Sequence, residues 1–406
     1  MPEGDAAEVS PVGATAVSAR SLAPDLARGM MLLLIALANV TSYLYGDGSY
    51  GRGVWIRDYP VLDQTVLLLQ ATFVRDRVYP MFALLFGYGI VQLLRRQISN
   101  GVDAVTVRKL VRRRGWWLVL FGFLHALLLF SGDIIGAYGL LAVLLAGVIV
   151  HARDRTLLIM AALWTAALWT VPVALSQLLD GRLTHPETKA NSISDPLQAA
   201  GIRVLEWAQS STVDSIFVLV PALMVGVWAA RRKLLDEPAR YRPLLLRVAV
   251  LGVVLAVVGG IPWGLKRIPW WTPSSDTVII LLDWAHTLTG YAGGIGYAAI
   301  AGLITIRVQA RGRPGWVVTA LAACGQRSMT CYLLQSVVFV AVLAAYGGGL
   351  GSRLGFTEVE ILAVVTWGST VLLADAMGRR GYRGPAERLL RRLTYGPPAA
   401  VPADRS

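Results

Sequence analysis

The chain has 406 residues, 55% of them hydrophobic and 16% charged, with a formal net charge of +13. Soluble domains carry roughly a quarter charged residues, so an ordinary soluble domain is excluded. Lys and Arg fall in short segments between apolar runs, with no basic domain or nucleic-acid-binding motif, which excludes nucleic acid as a partner.

Residues 1–22 are rich in Ala, Val, Ser, Gly and Pro and lack the basic start of a signal peptide. A disordered cytoplasmic tail is expected there. Apolar runs follow at 26–46, 64–94, 115–131, 134–151, 155–178, 213–230, 244–264, 277–306, 317–346 and 359–377. About 20 apolar residues cross the roughly 30 Å hydrocarbon core. Lipid offers no partner to a free N–H or C=O, so each run is predicted to be helical. Arg75-Asp76-Arg77 interrupts the second run, which predicts a short helix at the outer surface and a span from 78 to 94. Gly293 and Gly294 are expected to bend the eighth run. The fold class is therefore all-α: a polytopic membrane bundle of about ten transmembrane helices, one domain over 23–396, with a second disordered tail at 397–406.

Orientation follows from the basic residues. With ten spans, 27 Lys and Arg lie at the two termini and in the loops on their side, 10 lie in the opposite loops, and Arg327 lies inside span nine. The bias predicts both termini in the cytoplasm. Segment 384–395 is basic and amphipathic, with Leu389, Leu390 and Leu393 on one face, and is expected to lie along the inner membrane surface.

Ionisable residues within spans are the functional candidates, because each is costly unless it is paired or faces a wet cavity. Asp25 and Arg28, three apart at the start of span one, form either an interfacial anchoring pair or an anion-orienting pair. Asn39 lies three turns along nearly the same face. His125 lies eleven residues past Arg114, about 16 Å along a helix and near the bilayer midplane. It reads as an interhelical hydrogen-bonded residue or as a base, nucleophile or proton relay, with Asp133 at the following turn. Asp283 and His286 are three apart, which makes a carboxylate–imidazole contact easy. Arg327, Thr330, Tyr332 and Gln335 belong to a polar patch, Gly325–Ser336, expected to face protein or water, with Arg327 able to snorkel to the surface. Cys324 and Cys331 would lie two turns apart on one helix, about 10 Å and too far for a disulfide. They read as packing residues. No metal site is expected, and no nucleotide-binding loop, HExxH or GxSxG motif occurs.

The blocks 25–30 leading to Asn39, 79–87, 112–118 with 122–126 and 132–138, 325–336 and 384–395 together resemble the YeiB-like bacterial membrane proteins. The part from about 230 to 396 resembles the domain of unknown function 418. Cys331, Ala386 and Arg388 depart from the family's usual Asn, Leu and Trp. The resemblance implies a multi-pass protein of the bacterial plasma (inner) membrane. It also implies a distant similarity to membrane acyltransferases of the acyltransferase-three and heparan glucosaminide acetyltransferase types, which share the Asp-x-x-Arg-Gly opening. Those enzymes transfer an acyl group from a cytoplasmic donor using an intramembrane histidine. Two functions are therefore expected. In one, acyl-CoA is co-substrate, held by Arg28 and basic loops, and His125 acts with Asp133 or the Asp283–His286 pair on a small or lipid-linked acceptor. In the other, the same histidines relay protons in a transporter or exporter of a small solute. No permanently bound cofactor is expected.

Overall fold

The computed structural model describes residues 21–46, 60–178, 190–208, 215–268 and 275–396, together with 271 and 273. The expected tails, 1–20 and 397–406, lie outside the described residues. Fourteen α-helices and four short 3-10 turns make up the regular structure, with no strand among the described residues. In order the helices are α1 (Leu22–Val40), α2 (Val61–Phe73), α3 (Val78–Ser99), α4 (Ala104–Leu128), α5 (Ile135–His151), α6 (Asp154–Leu178), α7 (Pro196–Glu206), α8 (Ser215–Arg231), α9 (Arg242–Arg267), α10 (Asp276–Ala310), α11 (Trp316–Gln326), α12 (Ser328–Leu343), α13 (Phe356–Arg379) and α14 (Pro385–Tyr395).

Five helical segments are long and apolar enough to cross a membrane alone: Leu22–Tyr43, Val61–Ser99, Pro238–Arg267, Thr277–Ala310 and Phe356–Arg379. The pair α11 and α12 meets the same condition only when taken together, and it is bent by 86° at Arg327. Ile135–His151 and Phe217–Arg231 are shorter apolar helices. The outward faces are apolar as well. On α9, Leu246, Val250, Leu251, Val254 and Val258 are exposed, and on α13 Ile361, Val365, Leu372 and Leu373. Water would penalise such stripes, whereas lipid accepts them. The protein is an all-helical membrane bundle.

The structure refines several local expectations. The second run is α2, an elbow at Arg75–Arg77, and α3, the break that the sequence predicts, and α2 packs on α9 and α13. α10 runs unbroken for 35 residues through Gly293 and Gly294. Both glycines admit the Arg77 side chain and backbone, since a Cβ at either position would sit within 2.9 Å of Arg77 atoms. The ninth run breaks at Arg327, so Cys324 and Cys331 lie on different helices, both free, with Cys331 Sγ 4.0 Å from the Cys324 carbonyl. Helix α7 was not expected. Its Asp195 caps the first turn by accepting from Leu197 N–H.

The core is held by close helix approaches. α1 packs against α3, α10, α11, α12 and α13. Gly29 meets the Leu321 carbonyl and Gly325 the Asp25 carbonyl so closely that a Cβ at either position would overlap it. In the same way Gly122 of α4 leaves room for Gly136 at the start of α5. That second approach turns the chain sharply after α4 and brings Asp133 back against it.

Candidate functional site

Helix α4 ends at Leu128, so His125 sits in its last turn. The turn at 129–134 folds Asp133 beneath the ring. His125 Nδ1 lies 2.8 Å from Asp133 Oδ1, and Asp133 Oδ2 accepts from the Gly136 backbone N–H at 2.7 Å. On the other side, His125 Nε2 lies 2.9 Å from Ser336 Oγ on α12. His125, Asp133 and Ser336 are 2%, 0% and 3% exposed. An ionised carboxylate only accepts, so the ring proton belongs on Nδ1 and Nε2 accepts from the serine hydroxyl. This is the connectivity of a serine–histidine–carboxylate relay, in which the carboxylate fixes the tautomer that lets Nε2 act as a base.

Tyr332 lies one turn before Ser336, and its ring packs 4.9 Å from that of His125. Tyr332 and Ile134 both line a cavity of about 970 Å³. Its inner end adjoins the relay through Tyr332 and Ile134, although His125, Asp133 and Ser336 do not themselves line it, and it extends to the end of the bundle where α3 finishes and α14 lies. Seven arginines line it (Arg28, Arg95, Arg96, Arg114, Arg327, Arg383 and Arg391) against three carboxylates, Asp25, Asp236 and Glu387. Arg28 Nη1 donates to Asp25 Oδ1 at 2.9 Å, and Arg95 reaches Asp236 at 3.3 Å. Buried Arg96 Nη1 and Asp25 Oδ2 have no hydrogen-bond partner among the described residues. A low-dielectric cavity with this excess of guanidinium is suited to an anion of several charges.

Other candidates are structural or lie elsewhere. Arg327 does not snorkel outward. It is buried, donating to Ala323 O at 2.9 Å and to Tyr382 O, and so stabilises the break between α11 and α12. Thr330 Oγ1 donates to Glu387 Oε2 at 2.5 Å, and Gln335 Nε2 donates to Leu32 O at 3.4 Å. Asn39 is buried fourteen residues beyond Asp25, about 21 Å along α1, and does not join the Asp25–Arg28 pair. The Asp283–His286 contact does not form. Asp283 Oδ1 instead accepts from Lys266 Nζ at 2.5 Å and Trp263 Nε1 at 2.6 Å, because Lys266 offers a full charge. His286 stacks on Trp263 and lies 3.0 Å from Arg77 Nη1. Neither residue contacts His125, so they form a separate cluster.

The sequence had placed Ser336 in a polar patch without giving it a site role. Its position four residues after Tyr332 was the available signal. Arg96 and Arg114 entered the sequence reading as part of the basic segments, not as individual site residues.

The fold and site define a helical membrane protein with a buried polar relay at the head of a cationic cavity. Residues 229–397 match the family model described as "Protein of unknown function (DUF418)". The chain is similar to the uncharacterized protein YeiB of Escherichia coli strain K12, at 26% identity over 95% of this chain and 98% of that protein. It is also similar to the uncharacterized protein YxaH of Bacillus subtilis strain 168, at 24% identity over 91% and 93%. The chain is thus similar to these YeiB-like proteins over nearly its whole length, and its C-terminal part matches the DUF418 model.

Proposed function

We propose that this protein transfers an acyl group within the bacterial plasma membrane, from a cytoplasmic acyl-CoA to a small or lipid-linked hydroxyl acceptor. The observation that carries the reading is the Ser336–His125–Asp133 relay at the head of an arginine-lined cavity. In this reading both termini and the cavity mouth are cytoplasmic, with ten spans, in keeping with the distribution of basic residues. The arginines hold the phosphates, and the volume of about 970 Å³ is that of a large ligand pocket. His125 Nε2, through the Ser336 hydroxyl from which it accepts, takes the proton of the attacking acceptor hydroxyl as the acceptor oxygen bonds to the thioester carbonyl carbon. The C–S bond then breaks, and the imidazolium returns the proton to the departing thiolate. Asp133 holds the ring and stabilises the imidazolium. Tyr332, between ring and cavity, must rotate for the carbonyl to approach.

The test is turnover of radiolabelled acetyl-CoA by the purified full-length protein in membrane lipid. Transfer or slow hydrolysis is expected, with a loss of about 10²–10⁴-fold in His125→Gln. No turnover of any acyl-CoA, or unchanged turnover in that variant, would remove the reading.

A further inference from the structure

We propose a second anion site, for a phosphate ester, built around Trp263 at the end of α3 opposite the cavity. The elbow Arg75–Arg77 precedes α3, while Arg95 and Arg96 lie at its far end. The 22 residues of α3 separate the two regions by about 33 Å, roughly one hydrocarbon thickness. The cluster is therefore independent of the cavity and of the acyl-transfer reading.

The indole is fixed from one side by His286, stacked at 4.3 Å and 10°. Beneath it Arg77, fully buried, donates to Arg75 O at 2.6 Å and Ala256 O at 2.7 Å. The backbone is shaped to present this arrangement. Asp76 adopts a left-handed φ of 62°, and Gly290 lets the Asp76 carbonyl approach α10 where a Cβ would overlap it. Two further guanidiniums then lie over the same indole, Arg75 at 5.4 Å and Arg267 at 5.3 Å from its centroid.

Both nearby carboxylates are engaged elsewhere. Asp283 Oδ1 takes Lys266 and Trp263, and Asp76 takes the Thr287 hydroxyl at 3.0 Å and lies 3.8 Å from His286 Nε2. Arg75 and Arg267 thus have no carboxylate partner in hydrogen-bond reach among the described residues. Arg77 accounts for the elbow, while Arg75, Arg267 and Lys266 Nζ, the last at 5.8 Å, crowd three cations over one indole, of which only Lys266 has a carboxylate within hydrogen-bond reach among the described residues. The two planar forks, exposed at Arg75 and half-buried at Arg267, match a tetrahedral phosphate oxygen set. A lipid headgroup and a soluble phosphate ester share that chemistry.

The test uses full-length protein in dodecyl maltoside, which carries no phosphate, with the cavity weakened by Arg114→Gln and Arg391→Gln. Inorganic phosphate and short-chain phosphatidylglycerol are titrated separately, and binding is read from the thermal midpoint. At least one should stabilise the protein, and adding Arg75→Gln with Arg267→Gln should weaken that binding by about tenfold or more. A response to phosphatidylglycerol alone assigns the site to a lipid headgroup, and a response to inorganic phosphate assigns it to a soluble ester. If the double variant does not purify, Arg75→Gln alone, at the exposed side chain, is read in the same way. No stabilisation by either ligand, or stabilisation that survives these changes, would overturn the proposal.

Discussion

The carboxylate of Glu387 caps the first turn of α12: Oε1 accepts the amide N–H of Met329 at 2.8 Å and of Thr330 at 3.1 Å, while Oε2 accepts the Thr330 hydroxyl at 2.5 Å. The amphipathic helix α14 is thereby tied to the break in the ninth apolar run, and the two C-terminal sequence blocks meet. An anionic acceptor at a helix N-terminus satisfies orphan N–H groups and complements the dipole. Glu387→Ala should cost about 1–3 kcal/mol and loosen α14. Thermal unfolding and hydrogen exchange across 385–395 would measure this, and unchanged exchange would show that α14 is held by its Leu face instead.

Asp133 should matter to His125 through the tautomer. Asp133→Asn keeps the shape but can donate to Nδ1, leaving Nε2 protonated and unable to accept from Ser336. Acyl-CoA turnover should fall about 10²–10⁴-fold with little change in KM. Asp133→Glu is expected to be folded less well, because Gly122 and Gly136 leave no room for an extra methylene.

The α1–α11 crossing has no space for a methyl group. Gly29→Ala and Gly325→Ala should each destabilise by about 1–3 kcal/mol, because backbone carbonyls, not flexible side chains, stand in the way. Gly147→Ala, where nothing lies within 4 Å, is the control and should be neutral or stabilising. Midpoints in one detergent would separate the three.

Asp103 caps α4 at its exposed start, accepting from Val105 N–H, Thr106 N–H and the Thr106 hydroxyl. These bonds hold its carboxyl below the usual carboxylate range. A depressed folded-state value stabilises the helix above the ordinary carboxylate pKa of about 4. That contribution is lost as pH falls below it and through the lower value. Slower amide exchange in wild type than in Asp103→Ala over 104–108 is therefore expected at neutral pH, with the gap closing in acid. A gap independent of pH would contradict the assignment.

The sequence by itself determined the class. Long apolar runs force helices because lipid leaves no other partner for backbone groups, and the ordered motif blocks carry the resemblance to the YeiB-like proteins. It also singled out His125, Asp133 and Tyr332, since a polar group in an apolar run must find partners. Partner choice was decided only by tertiary structure. Spacing favoured His286 for Asp283, but Lys266 of a neighbouring helix offered a full charge and won. Ser336 reached His125 because α12 starts afresh after an 86° break that Arg327, within the run, and Glu387, far outside it, stabilise. Helical periodicity records neighbours three and four residues away. The relay joins residues 211 apart, His125 and Ser336, and the crossings that bring them together depend on glycines whose role becomes visible only once two backbones touch.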